Sequence, residues 1–127
     1  MSGKKILVID DEEIIQIAFK KELEREGYVV DGALSGEEAV KLVKAKKYDL
    51  VFVDFVLPGI NGVQTCREIK KISPEATLVF MTGNIDKRLN YSEMDFAEAG
   101  GRIYHLYKPF INDEILDIVK KALKEKE

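Results

Sequence analysis

Four places in this 127-residue chain carry side chains that can do chemistry together, each beside a short apolar run. Asp10, Asp11 and Glu12 follow Ile6-Leu7-Val8-Ile9, and Asp54 follows Leu50-Val51-Phe52-Val53. Thr82 follows Leu78-Val79-Phe80-Met81, and Lys108 follows Ile103-Tyr104-His105-Leu106-Tyr107. Singly, each has an ordinary reading: Asp11 as a helix cap, Thr82 as a turn residue, Lys108 as a solvated lysine. Brought together they need a reason. Carboxylates about 4 Å apart repel by about 4 kcal/mol at an effective dielectric of 20, so a shared rim calls for a cation. Ligands that are all oxygen suit a hard ion such as Mg²⁺, which keeps several waters and readily takes a substrate phosphate as well. The ion and Lys108 would neutralise an incoming phosphoryl group, and Thr82 would hydrogen-bond one of its oxygens.

Such convergence requires that the four runs be strands of one sheet, ending at the same edge. The first three are continuous, short and mostly β-branched or aromatic, as expected of strands buried on both faces of a parallel sheet. Tyr28-Val29-Val30 and the mixed run Ile103 to Tyr107 read as edge strands. Helical patterns lie between them. Ile15, Phe19 and Leu23, joined by Ala18, mark a first helix; Ala39, Val40 and Val43 a second; Val63, Cys66, Ile69 and Ile72 a third. Ile115, Ile118, Val119, Ala122 and Leu123 mark the last. Gly27 ends the first helix, Ser35 and Glu38 form a capping box for the second, Ser73-Pro74 closes the third, and Asn112 caps the last. The segment from Asn84 to Gly101 holds Ile85, Leu89, Met94, Phe96 and Ala97 and is expected to supply one more helix. The fold class is therefore α/β, a doubly wound five-stranded parallel sheet of (βα)₅ form with right-handed crossovers. In such open sheets the site lies outside the carboxyl ends of the strands.

The bulk numbers agree with this reading and exclude others. A chain that is 46% hydrophobic and 34% charged suits a globular domain rather than a disordered one. With a net charge of -3 and no obviously basic face, direct nucleic-acid binding is not expected. The single cysteine, Cys66, can form neither an internal disulfide nor a CxxC metal site, which suits a reducing cytosol. No run is long enough to span a bilayer, so the expectation is a cytoplasmic domain without a membrane partner.

The whole chain resembles the receiver domain of the two-component response-regulator family. The likeness rests on Ile6-Leu7-Val8-Ile9-Asp10-Asp11-Glu12, Asp54-Phe55-Val56-Leu57-Pro58-Gly59-Ile60-Asn61-Gly62, Met81-Thr82-Gly83 and Lys108-Pro109-Phe110, all in family order. By resemblance, residues 1–127 form one receiver domain, flavodoxin-like, with strand order 2-1-3-4-5. The resemblance implies that Asp54 is the nucleophile that becomes an aspartyl phosphate. Asp11, Asp54 and the backbone carbonyl of Val56 would ligate Mg²⁺, for which Mn²⁺ can substitute, with Asp10 acting through a bound water. Thr82 and Lys108 would contact the phosphoryl group. Val56 and Asn84, two residues beyond Asp54 and Thr82, would tune hydrolysis of the phosphoaspartate, and Thr82 with His105 would form the switch. The family often has Phe or Tyr where this chain has His105, which reads equally well as an edge-strand histidine with a satisfied polar tip, and the stretch from Thr82 to Lys108 is longer than usual. Both departures bear on the output surface. The implied partners are a sensor histidine kinase or a histidine phosphotransfer protein and a downstream protein, with phosphorylation-dependent homodimerisation a further expectation. The domain would catalyse only its own phosphorylation and dephosphorylation, and so would be a signalling element in a phosphorelay rather than an enzyme.

Other readings fit less well. A flavodoxin would offer hydroxyls and amides to a phosphate where Asp10-Asp11-Glu12 would repel it. A dinucleotide-binding domain needs GxGxxG after the first strand. A haloacid-dehalogenase-type phosphatase expects a second Asp where Val56 stands, and a phosphohistidine carrier would place its histidine on an exposed helix. A pseudo-receiver that binds partners without phosphorylation usually loses site residues, and none is lost here.

Overall fold

The computed structural model describes residues 3–54, 57, 59–60, 62–82, 102–107 and 114–126, with the backbone course alone for residues 80, 82, 102–107 and 124–126. In chain order the elements are β1 (Lys5–Ile9), α1 (Glu13–Glu24), β2 (Val29–Ala33), α2 (Gly36–Ala45), β3 (Leu50–Asp54), α3 (Gly62–Ile72), β4 (Thr77–Thr82), β5 (Arg102–Tyr107) and α4 (Glu114–Lys126). The strands form one sheet in the order β2-β1-β3-β4-β5, with every pairing parallel. This is the expected doubly wound order. The expected helix between Asn84 and Gly101 and the Asn112 cap lie outside the described residues.

The sheet divides the core in two because successive side chains of a strand point to opposite faces. Ile6, Val8, Leu50, Phe52, Val79 and Met81 meet Phe19 and Leu23 of α1 and Ile115, Val119 and Ala122 of α4. Leu7, Ile9, Val51, Val53 and Leu78 meet Ala39 and Val43 of α2 and Val63, Cys66 and Ile69 of α3. Ile6 to Ile9 and Leu50 to Val53 are wholly buried, which is why these strands read as unbroken apolar runs rather than alternating ones.

Local chemistry sets the element ends. Gly27 takes φ 90° just beyond α1, a conformation that a side chain would strain. The Ser35 side chain accepts a hydrogen bond from the Glu38 backbone N–H at 3.1 Å and caps α2. Lys70 Nζ donates to the carbonyls of Pro74 at 3.1 Å and Ala76 at 2.5 Å, tying the end of α3 to the turn before β4. Ile72, expected on the apolar face of α3, is instead 36% exposed. It is the last residue of the helix, where the stripe runs off the sheet.

The outer edge of β2 is fastened by a polar cluster. The Tyr48 hydroxyl donates to Asp31 Oδ2 at 2.7 Å, and Lys46 Nζ donates to the same oxygen at 3.2 Å. The Tyr48 bond, ahead of the Lys46 and Lys20 charges, holds the Asp31 carboxyl below the usual carboxylate range against the opposing pull of burial. Tyr48→Phe is expected to lower stability by about 0.5–1.5 kcal/mol near neutral pH. A depressed folded-state pKa stabilises above the unfolded Asp value of about 3.9, and that contribution fades as pH falls through the folded value. Urea denaturation of both proteins should therefore show the Tyr48→Phe penalty shrinking in acid. An undiminished penalty would assign it to packing.

Candidate functional site

Strand register decides which of the candidate residues meet. Ile9 pairs with Val53, so Asp10, the next residue after β1, stands at the level of Asp54 on the neighbouring strand. Asp54 in turn pairs with Met81, and Thr82 pairs with Tyr107, the residue before Lys108. Adjacent strands lie about 4.8 Å apart, so this register sets Asp10 and Asp54 side by side at the carboxyl edge of the sheet. Asp54 and Thr82 are the last residues of β3 and β4, as the sequence pattern requires. The side chains of Thr82 and His105 and the whole of Val56, Asn84 and Lys108 lie outside the described residues.

The acidic run after β1 is shaped before any ligand arrives. Asp10 is wholly buried, and its Oδ1 accepts a hydrogen bond from the Glu12 backbone N–H at 2.9 Å, closing a tight turn. Asp10 N donates to the Ala33 carbonyl at 3.0 Å, so the turn also grips the end of β2. One carboxylate oxygen from each of Asp10, Asp11 and Glu12 lies within 4.8 Å of the others. Asp11 and Glu12 are exposed. Glu12, not Asp11, occupies the N-cap position of α1, and its side chain makes no cap bond. Capping therefore does not account for Asp11.

These donors fit a hard divalent cation. Asp10 is wholly buried and Asp54 is 4% exposed, so two carboxylates on adjacent strand ends have lost most of the water that would screen them. Carboxylates at that spacing repel one another, and oxygen donors of this kind match a hard cation such as Mg²⁺.

The sequence pattern did not single out Gln16. It is 7% exposed, and its amide nitrogen faces the carbonyls of Val8, Ala33 and Asp10 at 2.9, 3.0 and 3.1 Å. The signal was present, since Gln16, Phe19 and Leu23 follow i, i+3, i+7 and so share one helix face. Ile14 and Ile17 are the reverse case, apolar but 71% and 62% exposed on the outer side of α1. Cys66 behaves as a core residue: burial pushes its thiol up to about 12, which keeps it protonated and unreactive.

Comparison with known proteins agrees with this geometry. The response regulator receiver domain family matches residues 6–120. Sporulation initiation phosphotransferase F of Bacillus subtilis is 33% identical over 126 residues, covering 97% of this chain and 96% of that protein. The transcriptional regulatory protein ResD of the same organism is 36% identical over 120 residues, 94% of this chain but 48% of ResD. Among solved structures, a CheY-like receiver domain protein from Methanospirillum hungatei superposes with a TM-score of 0.84 at 26% identity, covering 98% and 97% of the two chains. The response regulator TrrA of Thermotoga maritima, solved in complex with Mg²⁺-BeF, superposes with a TM-score of 0.78 at 38% identity over 94% of this chain and 99% of that one. A parallel sheet in the order 2-1-3-4-5 with a buried aspartate at the end of its central strand, matched to these relatives over nearly its whole length, makes this chain a member of the response regulator receiver domain family of two-component systems.

Proposed function

We propose that the chain accepts a phosphoryl group on Asp54 in a Mg²⁺-dependent reaction and passes the change to a partner protein. The observation that carries this reading is the register of β1 and β3, which sets the buried Asp10 beside the buried Asp54 with Asp11 next in sequence. The family supplies the donor class, a histidine kinase or phosphotransfer protein that carries phosphohistidine. The relative named as a phosphotransferase and the TrrA structure with Mg²⁺-BeF support the same chemistry.

In this reading Asp11, Asp54 and the backbone carbonyl of Val56 would hold the ion, and Asp10 would act through a bound water. A bound Mg²⁺ supplies charge neutralisation at the phosphoryl oxygens. An Asp54 carboxylate oxygen attacks the phosphorus in line, forming the P–O bond as the donor's P–N bond breaks and the imidazole leaves. Thr82 hydrogen-bonds a phosphoryl oxygen, and Lys108 pairs with the carboxylate and the phosphoryl group. The work of the chain is positioning and electrostatics, since the transferred group passes through a loose transition state. Val56 and Asn84 would set the access of water to the product, and an apolar Val56 cannot orient that water by hydrogen bonding. Thr82 would carry the change towards the partner surface, with His105 at the ring position contributing little aromatic locking. The test is incubation with acetyl phosphate and Mg²⁺ followed by intact-mass measurement, with a gain of one phosphoryl mass expected. No gain under conditions that label a known receiver would remove the proposal.

The acidic run makes a separate prediction. Asp11→Ala should weaken Mg²⁺ binding by about 10-fold or more, whereas Glu12→Ala, at the exposed first residue of the helix cap, should change it little. Calorimetric titration of each variant with Mg²⁺ reads this directly. Equal losses would make Glu12 a ligand and reassign the run.

A further inference from the structure

The carboxyl end of β1 is held by a side chain rather than by the sheet alone. The parallel ladder between β1 and β2 ends at the pair Ile9 and Ala33, and Asp10 begins the acidic turn immediately beyond it. Buried backbone carbonyls past the end of a ladder need donors from elsewhere. Gln16, reaching back from the first turn of α1, sets its two N–H donors against the Asp10 carbonyl past that end at 3.1 Å and the Val8 and Ala33 carbonyls inside it at 2.9 and 3.0 Å, the last of which also accepts from the Asp10 N–H at 3.0 Å. Three carbonyls around that atom fix the orientation of the amide, because the flipped form would set oxygen against three oxygens. The Gln16 Oε1 atom is itself buried with no hydrogen-bond partner among the described residues. A single amide thus joins the end of β1, the end of β2 and the start of α1, with the acidic residues strung between β1 and α1.

A second feature reserves space for that amide. Gly32 of β2 has no left-handed φ, so its backbone does not require glycine. A Cβ there would meet the Gln16 amide, 2.7 Å from its Cδ. The glycine is needed by the side chain lying over it.

We propose, on the phosphoacceptor reading above, that Gln16 is a positioning residue for the cation site. Its amide fixes the exit of β1 so that Asp10 stands at the level of Asp54 with Asp11 next in the turn. The residue touches neither substrate nor ion. It acts through the Asp10 carbonyl and the turn that Asp10 closes on Glu12. Losing it lets the acidic turn shift while the two cores, made by other side chains, persist. Outer-layer partners of metal ligands lose about 10–100-fold in metal affinity when removed.

The experiment measures Mg²⁺ affinity by calorimetry without any phosphodonor, and then the Mg²⁺ dependence of acetyl phosphate labelling. Gln16→Met keeps the length and packing of the side chain but has no N–H. Gly32→Ala leaves every donor present but displaces the amide. Each should raise the Mg²⁺ dissociation constant about 10-fold. Each should shift the Mg²⁺ concentration for half-maximal labelling in step, while the rate at saturating Mg²⁺ stays near that of the wild type. In a Gln16→Ala background, which frees the space over Gly32, adding Gly32→Ala should weaken binding no further. A folded Gln16→Met or Gly32→Ala protein, checked by circular dichroism, that binds Mg²⁺ within twofold of the wild type overturns the proposal, whatever its melting temperature. Absence of labelling in the wild type would count against the phosphoacceptor reading alone, since the affinity shift is read without phosphate.

Discussion

Asp54→Asn is expected to stay folded and to gain no phosphoryl mass under conditions that label the wild type. The substitution is nearly isosteric at a position 4% exposed, so the packing around it is retained. The amide is a poor nucleophile, so the P–O bond has no route to form at this position. It also removes one negative charge from a rim where Asp10 stands at the neighbouring strand end, which relieves repulsion rather than adding strain. Melting temperature should therefore be unchanged or raised while labelling disappears, a combination that separates lost chemistry from lost structure. The competing acceptors are Asp10 and Asp11. Asp10 is wholly buried with one oxygen committed to the Glu12 N–H, while Asp11 is exposed and follows the strand instead of ending it. If Asp54→Asn takes up label as the wild type does, the acceptor lies in the acidic run and the roles assigned along the rim must be exchanged.

What could be read from the sequence follows from what each residue needs. Strands covered on both faces show as unbroken apolar runs, so β1, β3 and β4 were visible to within a residue or two, and the polar residues ending them marked the site. Parallel order and register then brought Asp10 to Asp54, across 44 residues of sequence. Gln16 was missed because apolar periodicity passes over a glutamine, although its spacing from Phe19 and Leu23 placed it on the buried face. Its role appears only once the ends of β1 and β2 are side by side. The Asp31–Tyr48 pair was hidden for the same reason, since its partners lie 17 residues apart and meet only through the β2 edge. Ile14 and Ile17 show the converse. Five of the first six residues of α1 are apolar or buried, so composition alone does not separate the three isoleucines; the four-residue spacing of Ile15, Phe19 and Leu23 does, and the structure buries Ile15 partly and leaves the other two exposed.

The largest stability effect is expected at Phe52, and it couples the core to the site. Phe52 is wholly buried and lies two residues before Asp54 on β3, so both side chains leave the strand on the same side. Its ring meets Phe19 of α1 edge-on, with centroids 4.9 Å apart and an interplanar angle of 66°. That arrangement brings the positive edge of one ring to the negative face of the other, and such pairs are worth about 0.5–1.5 kcal/mol beyond burial. Phe52→Ala removes the pair and leaves a cavity between the central strand and α1, at about 3–5 kcal/mol. For a domain of this size, that lowers the melting temperature by roughly 10–20 °C. Phe19→Ala should lose a similar amount, and the double variant less than the sum, because the ring pair can be lost only once. The consequence for function follows from α1, which carries Gln16 on the same face as Phe19. Phe52→Ala should thus bind Mg²⁺ more weakly even at temperatures where it is fully folded, whereas a cavity on the other face of the sheet, such as Ile69→Ala in α3, should destabilise without that loss. Thermal melts and Mg²⁺ titrations of the two variants provide the comparison. Equal Mg²⁺ weakening in both would mean that general loosening of the sheet, rather than the seating of α1, governs the acidic turn.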